Sequence, residues 1–188
     1  MATAIPPAEL SRPNIRLNGE VGEAMLEAFL DQLRGCDEAD ALVVELTTTG
    51  GDAELGRRLA LELRDCARQG RRLLFLGKTA VYSAGVTIMA AAPARDRWLT
   101  GDTRLLIHGR KLSAAITLVG PLREARLQAE RAIAQFDAGI ELEREGFKEL
   151  IHGSSLSLEE LEAMAATEAY LNARQALQHG LIAGICPD

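Results

Sequence analysis

Two stretches of the chain repeat one pattern, and that pattern leaves few folds open. Residues 41–46, Ala-Leu-Val-Val-Glu-Leu, form a nearly unbroken apolar run, as expected of a strand covered on both faces. The turn Thr47-Thr48-Thr49-Gly50-Gly51-Asp52 follows. Leu55, Leu59, Leu63 and Cys66 then mark one helical face, which Gly70 stops. Residues 73–76, Leu-Leu-Phe-Leu, repeat the strand. Gly77 punctuates it, and Ser83-Ala84-Gly85 opens an apolar helical run over 86–92. Two strand–turn–helix units in succession require parallel strands joined by right-handed crossovers. Both turns then lie beyond the strands' carboxyl ends, at the edge where open α/β sheets bind ligands. The fold class expected is therefore α/β.

The rest of the chain fits that frame. Pro6, Pro7 and Pro13 place residues 1–13 in a flexible tail, ahead of a single domain over 14–188. Residues 14–17 alternate as a short strand closed by Asn18-Gly19, and a helix with apolar positions from Val21 to Leu33 follows. Arg97-Trp98-Leu99 is a brief strand, and Arg104-Leu105-Leu106-Ile107-His108 is another. Gly109 to Ser113 reads as a basic loop. A helical stretch over about 122–150 then carries Gly139 and Gly146. It either projects to meet a neighbouring subunit or is an ordinary solvated helix broken at Gly139. Ser157 starts another helix. Tyr170-Leu171 resembles a short break, Asn172 caps a helix stopped by Gly180, and residues 181–185 end the chain as a strand.

Composition removes several functions. Aromatic residues at 4% are too few for base-stacking platforms, and a net charge of -6 disfavours binding to phosphate backbones. With 47% hydrophobic residues, the 188-residue chain can bury a sizeable core. No apolar stretch reaches the roughly 18 residues of a membrane span. Cys36, Cys66 and Cys186 lack metal-type spacing and suit a reducing compartment, so the expected location is the cytoplasm. Neither a metal nor a cofactor is expected, and no phosphate-binding glycine motif is present.

Chemistry-bearing residues collect at the shared edge. Ser83 sits where a strand turns into a helix. It is either a nucleophile, with the Ala84 N–H behind it facing an oxyanion, or a plain helix cap. Gly50 and Gly51 offer backbone N–H groups at a parallel turn, or form a simple turn capped by Asp52. His108, at a strand's carboxyl end, reaches the same edge as a general base or serves as a structural histidine.

Together these residues resemble the proteolytic subunit of the Clp protease, within the Clp protease/crotonase superfamily, over about residues 14–185. Thr47-Thr48-Thr49-Gly50-Gly51 stands at the family's Ser-Pro-Gly-Gly turn, and Ser83-Ala84-Gly85 at its Ser-Met-Gly nucleophile. Leu106-Ile107-His108 stands at its Met-Ile-His. Tyr170-Leu171-Asn172-Ala173 through His179-Gly180-Leu181-Ile182 stands at its closing motif. The resemblance implies stacked strand–helix (ββα) units with a projecting long helix, and residues 109–155 as an oligomerisation region. It also implies a serine peptidase-like hydrolase that assembles into a homo-oligomeric ring and acts on peptides or unfolded protein. Ser83 would be the nucleophile and His108 the base, with Gly50, Gly51 and Ala84 forming the oxyanion hole.

The family's third triad member, an aspartate, falls on Met164, so Glu168 or Glu162 would have to supply the acid, with Glu168 favoured. The chain before Asn14 is short for the family's amino-terminal loop and first helix, which leaves an ATP-dependent unfoldase without its expected docking segment. Gly109-Arg110 replaces Gln-Pro, Thr49 replaces the turn proline, and the stretch from His108 to the closing motif is longer than expected. The alternatives are a catalytically impaired structural or regulatory ring subunit, a crotonase-type acyl-CoA enzyme, and a Ser–Lys dyad using Lys78 or Lys111.

Overall fold

The structure, a computed structural model, describes residues 5–36, 39, 41–111, 115 and 117–187. Residues 1–4 of the expected tail and Leu112 and Ser113 of the expected basic loop lie outside them.

The chain is α/β, with a mostly parallel sheet. Strands β1 (Ile15–Asn18), β2 (Ala41–Thr48), β3 (Arg72–Tyr82), β4 (Arg97–Thr100) and β7 (Gly184–Cys186) pair side by side in the order β1-β2-β3-β4-β7, all parallel. Strand β5 (Arg104–Ile107) pairs in parallel with the far end of β3, and β6 (Ala169–Asn172) runs antiparallel to β5. Helices α1 (Glu23–Arg34), α2 (Ala53–Arg68) and α3 (Ala84–Met89) connect the first strands. They are joined by α4 (Leu122–Ile151), α5 (Leu158–Ala166) and α6 (Ala173–Gln178).

Strand β2 reads as an apolar run because both its faces are covered. Leu42, Val44 and Leu46 join Leu73 and Phe75 in the main core with Phe29, Leu59 and Leu63 from the helices. Val43, Leu74, Leu76 and Trp98 form a smaller core on the other face. Leu10 belongs to this second core. Residues 8–11, which the sequence places in a tail, therefore form a turn of 3-10 helix that seats one buried leucine.

Strand β3 does not end at Gly77. It continues to Tyr82 through an irregularity in which the step from Leu46 to Thr48 faces the longer step from Gly77 to Val81. Thr79 there has φ 58°. Two carbonyls freed by the irregularity are recovered by side chains, because Thr47 Oγ1 donates to Lys78 O at 2.9 Å and Thr103 Oγ1 to Gly77 O at 3.0 Å. The bend divides the strand's partners. Residues 75–77 pair with β4 and residues 80–82 with β5. The end of β3 is thereby steered alongside β5, which sets the site described below.

Other expectations also change. Tyr170 and Leu171 lie in a strand rather than a break. The last strand begins at Gly184, while Leu181 and Ile182 are buried core residues. Helix α4 runs unbroken through Gly139 and Gly146. A helix interior tolerates each glycine at about 1 kcal/mol relative to alanine.

Arg97 is the largest fully buried side chain. Its guanidinium donates to the carbonyls of Ala90 and Ala92 behind α3, of Glu149 and Leu150 at the end of α4, and of Leu181 after α6, at 2.7–3.4 Å. Helix carboxyl ends carry unpaired carbonyls and partial negative charge, which a cation satisfies. Burial pushes the Arg97 pKa down to about 10, against a smaller upward pull from the Glu149 carboxylate.

Candidate active site

Three neighbouring parallel strands deliver the site. Gly50 and Gly51 follow β2, Ser83 follows β3 and His108 follows β5. Gly51, Ser83, Ala84 and His108 line one cleft of about 500 Å³, whose opposite wall is the carboxyl half of α4, including Leu142, Glu143 and Phe147. Register explains the juxtaposition. Tyr82 pairs with Leu106, and the Ser83 N–H donates to Leu106 O at 2.9 Å. Ser83 and His108 are thus the first residues beyond two paired strand ends.

Ser83 has φ 54° and ψ -117°, a strained conformation for a residue with a side chain, held between β3 and the first turn of α3. The competing reading of Ser83 as a helix cap fails, because its side chain makes no capping hydrogen bond to α3. The strain instead presents Oγ at the turn, as in a strand-to-helix nucleophile turn. Gly50, at φ 100°, lies against it. A Cβ at that position would stand 2.8 Å from Ser83 Cβ and 3.4 Å from Ser83 Oγ.

The three expected oxyanion donors separate. The Gly50 N–H is already committed to Thr48 Oγ1 at 3.0 Å, so Gly50 does not donate and its part is to leave room for Ser83. The N–H groups of Gly51 and Ala84 make no hydrogen bond to any described residue. The Gly51 turn is held by Val21, whose N–H donates to Gly50 O and whose carbonyl accepts from the Asp52 N–H, both at 2.8 Å. Asp52 caps α2 by accepting from the N–H groups of Glu54 and Leu55. Capping by Asp52 and the unbonded Gly51 amide therefore coexist in this turn.

His108 Nδ1 lies 2.6 Å from Gly109 O. A carbonyl only accepts, so Nδ1 carries the proton and the neutral ring keeps its lone pair on Nε2. Glu168, expected as the orienting acid, does not bond the ring. Its carboxylate pairs with Lys111 Nζ at 2.7 Å. The Lys111 hydrogen bond and charge hold the Glu168 carboxyl below its usual range, with His108 adding a small pull from further away. Glu162 pairs with Arg144 at 2.8 Å, and Met164 offers only a half-buried thioether. Of the two lysines, Lys78 pairs with Glu45 at 2.8 Å and is absent from the cleft lining. Lys111 lines the cleft but is occupied by Glu168.

The loop after His108 carries contacts that no sequence pattern signalled. The Arg110 guanidinium pairs with Glu54 at the start of α2, and Arg57 pairs with the same carboxylate at 2.7 Å. Burial raises the Glu54 carboxyl, but hydrogen bonds and charge from Arg110 and Arg57 outweigh it and leave the group below its ordinary range. The Arg110 backbone N–H donates to Glu143 Oε2. Glu143 stands in a helix with Glu141 and Glu145 on either side, and nothing local sets it apart. Among the described residues, no group of three histidine, cysteine or acidic side chains could hold a metal ion.

No protein-family model matches the chain, and no curated protein is significantly similar to it.

Proposed function

We propose that the protein is a serine peptidase-like hydrolase that works through an acyl-enzyme on Ser83. The observation that carries this reading is the strained, uncapped Ser83, which shares a cleft with His108 and with the unbonded Gly51 and Ala84 N–H groups. In this reading Ser83 Oγ attacks the acyl carbon while His108 Nε2 takes its proton. The oxyanion faces the Gly51 and Ala84 amides, and His108 returns the proton to the leaving group. Water repeats the sequence to release the acid. Ser83 Oγ and His108 do not bond each other directly, and such contacts commonly tighten only when substrate arrives.

The Clp-like stretches support this reading, because three of the four contribute to the cleft lining, through Gly51, Ser83 with Ala84, and Leu106 to His108. On the same basis the substrate is a peptide or unfolded protein segment, the assembly is a homo-oligomeric ring joined through α4, and the compartment is the cytoplasm. The three free cysteines fit that compartment. A finer assignment to the Clp protease/crotonase-like fold belongs to the same proposal.

A second reading, a catalytically silent ring subunit, draws on one observation, namely that no carboxylate of the described residues bonds His108. A serine-directed fluorophosphonate probe separates the two. Expected is labelling of Ser83, together with hydrolysis of an activated ester that Ser83→Ala abolishes. A folded wild-type protein that neither labels nor hydrolyses would favour the silent subunit.

A further inference from the structure

One peptide group links a carboxylate to the histidine. The carbonyl of the Gly109–Arg110 peptide accepts from His108 Nδ1 at 2.6 Å, and the N–H of that same peptide donates to Glu143 Oε2. Glu143 is half-buried in the cleft wall and forms no salt bridge with any described residue, so its charge is directed at this amide alone. An anion accepting from an amide N–H increases the electron density on the amide oxygen, and the two hydrogen bonds strengthen each other. The carbonyl facing His108 is therefore a stronger acceptor than an isolated one.

The residue at 109 fits this arrangement. A Cβ there would stand 3.1 Å from Glu143 Oε2, closer than ordinary van der Waals contact, so glycine lets the carboxylate approach the amide without crowding. Arg110 is also anchored on its other side by Glu54, which keeps the peptide plane from turning.

The geometry points to Glu143 as the positioning residue for His108, acting through the Gly109–Arg110 peptide in the place that a directly bonded carboxylate would hold. This rests on the Ser83–His108 reading. Glu143 touches no reacting atom. It fixes the tautomer, and with it the Nε2 lone pair that Ser83 requires, and it supports the positive charge His108 takes on when it holds the Ser83 proton.

The test uses the full chain labelled with 15N at histidine, with His152 and His179 as internal references. In the wild type, His108 alone should show the proton on Nδ1, the form that free imidazole disfavours. Glu143→Ala should lose that preference and lower kcat on an activated ester by about 10–100-fold, with KM unchanged. Glu143→Gln still accepts from the amide but carries no charge. It should keep the tautomer and lower kcat by about threefold, whereas Glu141→Ala, two residues away on the exposed side of the helix, should change neither.

A wild-type His108 tautomer in Glu143→Ala would overturn the assignment. Should Glu143→Ala fail to fold, an unchanged kcat in Glu143→Gln would overturn it instead. If the wild-type protein hydrolyses nothing, the hydrolase reading falls, and the tautomer measurement still decides the role of Glu143.

Discussion

Ser83 is one of three non-glycine residues with positive φ among the described residues, with Thr79 and Glu168. A non-glycine residue at φ 54° costs on the order of 1–3 kcal/mol, which its neighbours must offset. Gly50 is the neighbour that makes room. Gly50→Ala would place a methyl group 2.8 Å from Ser83 Cβ and force an unfavourable φ of 100°. Displacing a reacting atom by about 1 Å is worth about 100-fold in rate, so fluorophosphonate labelling of Gly50→Ala should fall by that order while circular dichroism stays native. Undiminished labelling would show that the turn relaxes without moving the hydroxyl. Ser83, His108 and the glycine turn were legible in the sequence, because each follows a strand that its own apolar run announces. The Gly109 carbonyl and Glu143 were not. A backbone atom has no sequence signature, and one glutamate in a charged helix looks like its neighbours. Glu168 looked right from its spacing, but Lys111 holds it.

Among the elements, the loop over 108–111 is gripped from three sides: by Glu54 of α2, by Glu143 of α4 and by Glu168 just before β6. The grip at Glu54 is sensitive to acid. Its folded-state carboxyl lies below the ordinary value of 4.5, so the unfolded chain binds more protons as pH falls through that region, and stability declines with it. The Tm of the wild type should therefore fall more steeply below pH 4.5 than that of Glu54→Gln, which lacks the titrating group. Parallel slopes in a thermal-denaturation series would show that the pair adds nothing net, as is common for exposed ion pairs. The elements also show where sequence reading stops. β2 and β5 were legible from their apolar runs. The extension of β3 past Gly77 was not, because the threonines that satisfy its freed carbonyls come from positions 47 and 103. Gly139 looked like a break because glycine weakens helices, but a cost of about 1 kcal/mol is small within a 30-residue helix.

At the scale of the molecule, α4 spans about 45 Å at 1.5 Å per residue, and only Leu150 near its end is buried. Leu122, Leu127, Ile133, Phe136 and Ile140 are all exposed along the rest. If the face shared by Leu122, Ile133, Phe136 and Ile140 joins copies of the chain, as proposed above, Ile133→Asp combined with Phe136→Asp should yield monomers in light scattering while the described core stays folded. An assembly unchanged in mass would place the contact elsewhere. The projecting helix was one of two readings open in the sequence, since periodicity shows which residues share a face but not what lies opposite. Arg97 gives this arrangement a mechanical meaning. Its single guanidinium grips the root of the protruding helix and the rear of the short helix that Ser83 begins. One buried cation thus ties the foot of the exposed helix to the back of the short helix on which the hydroxyl sits.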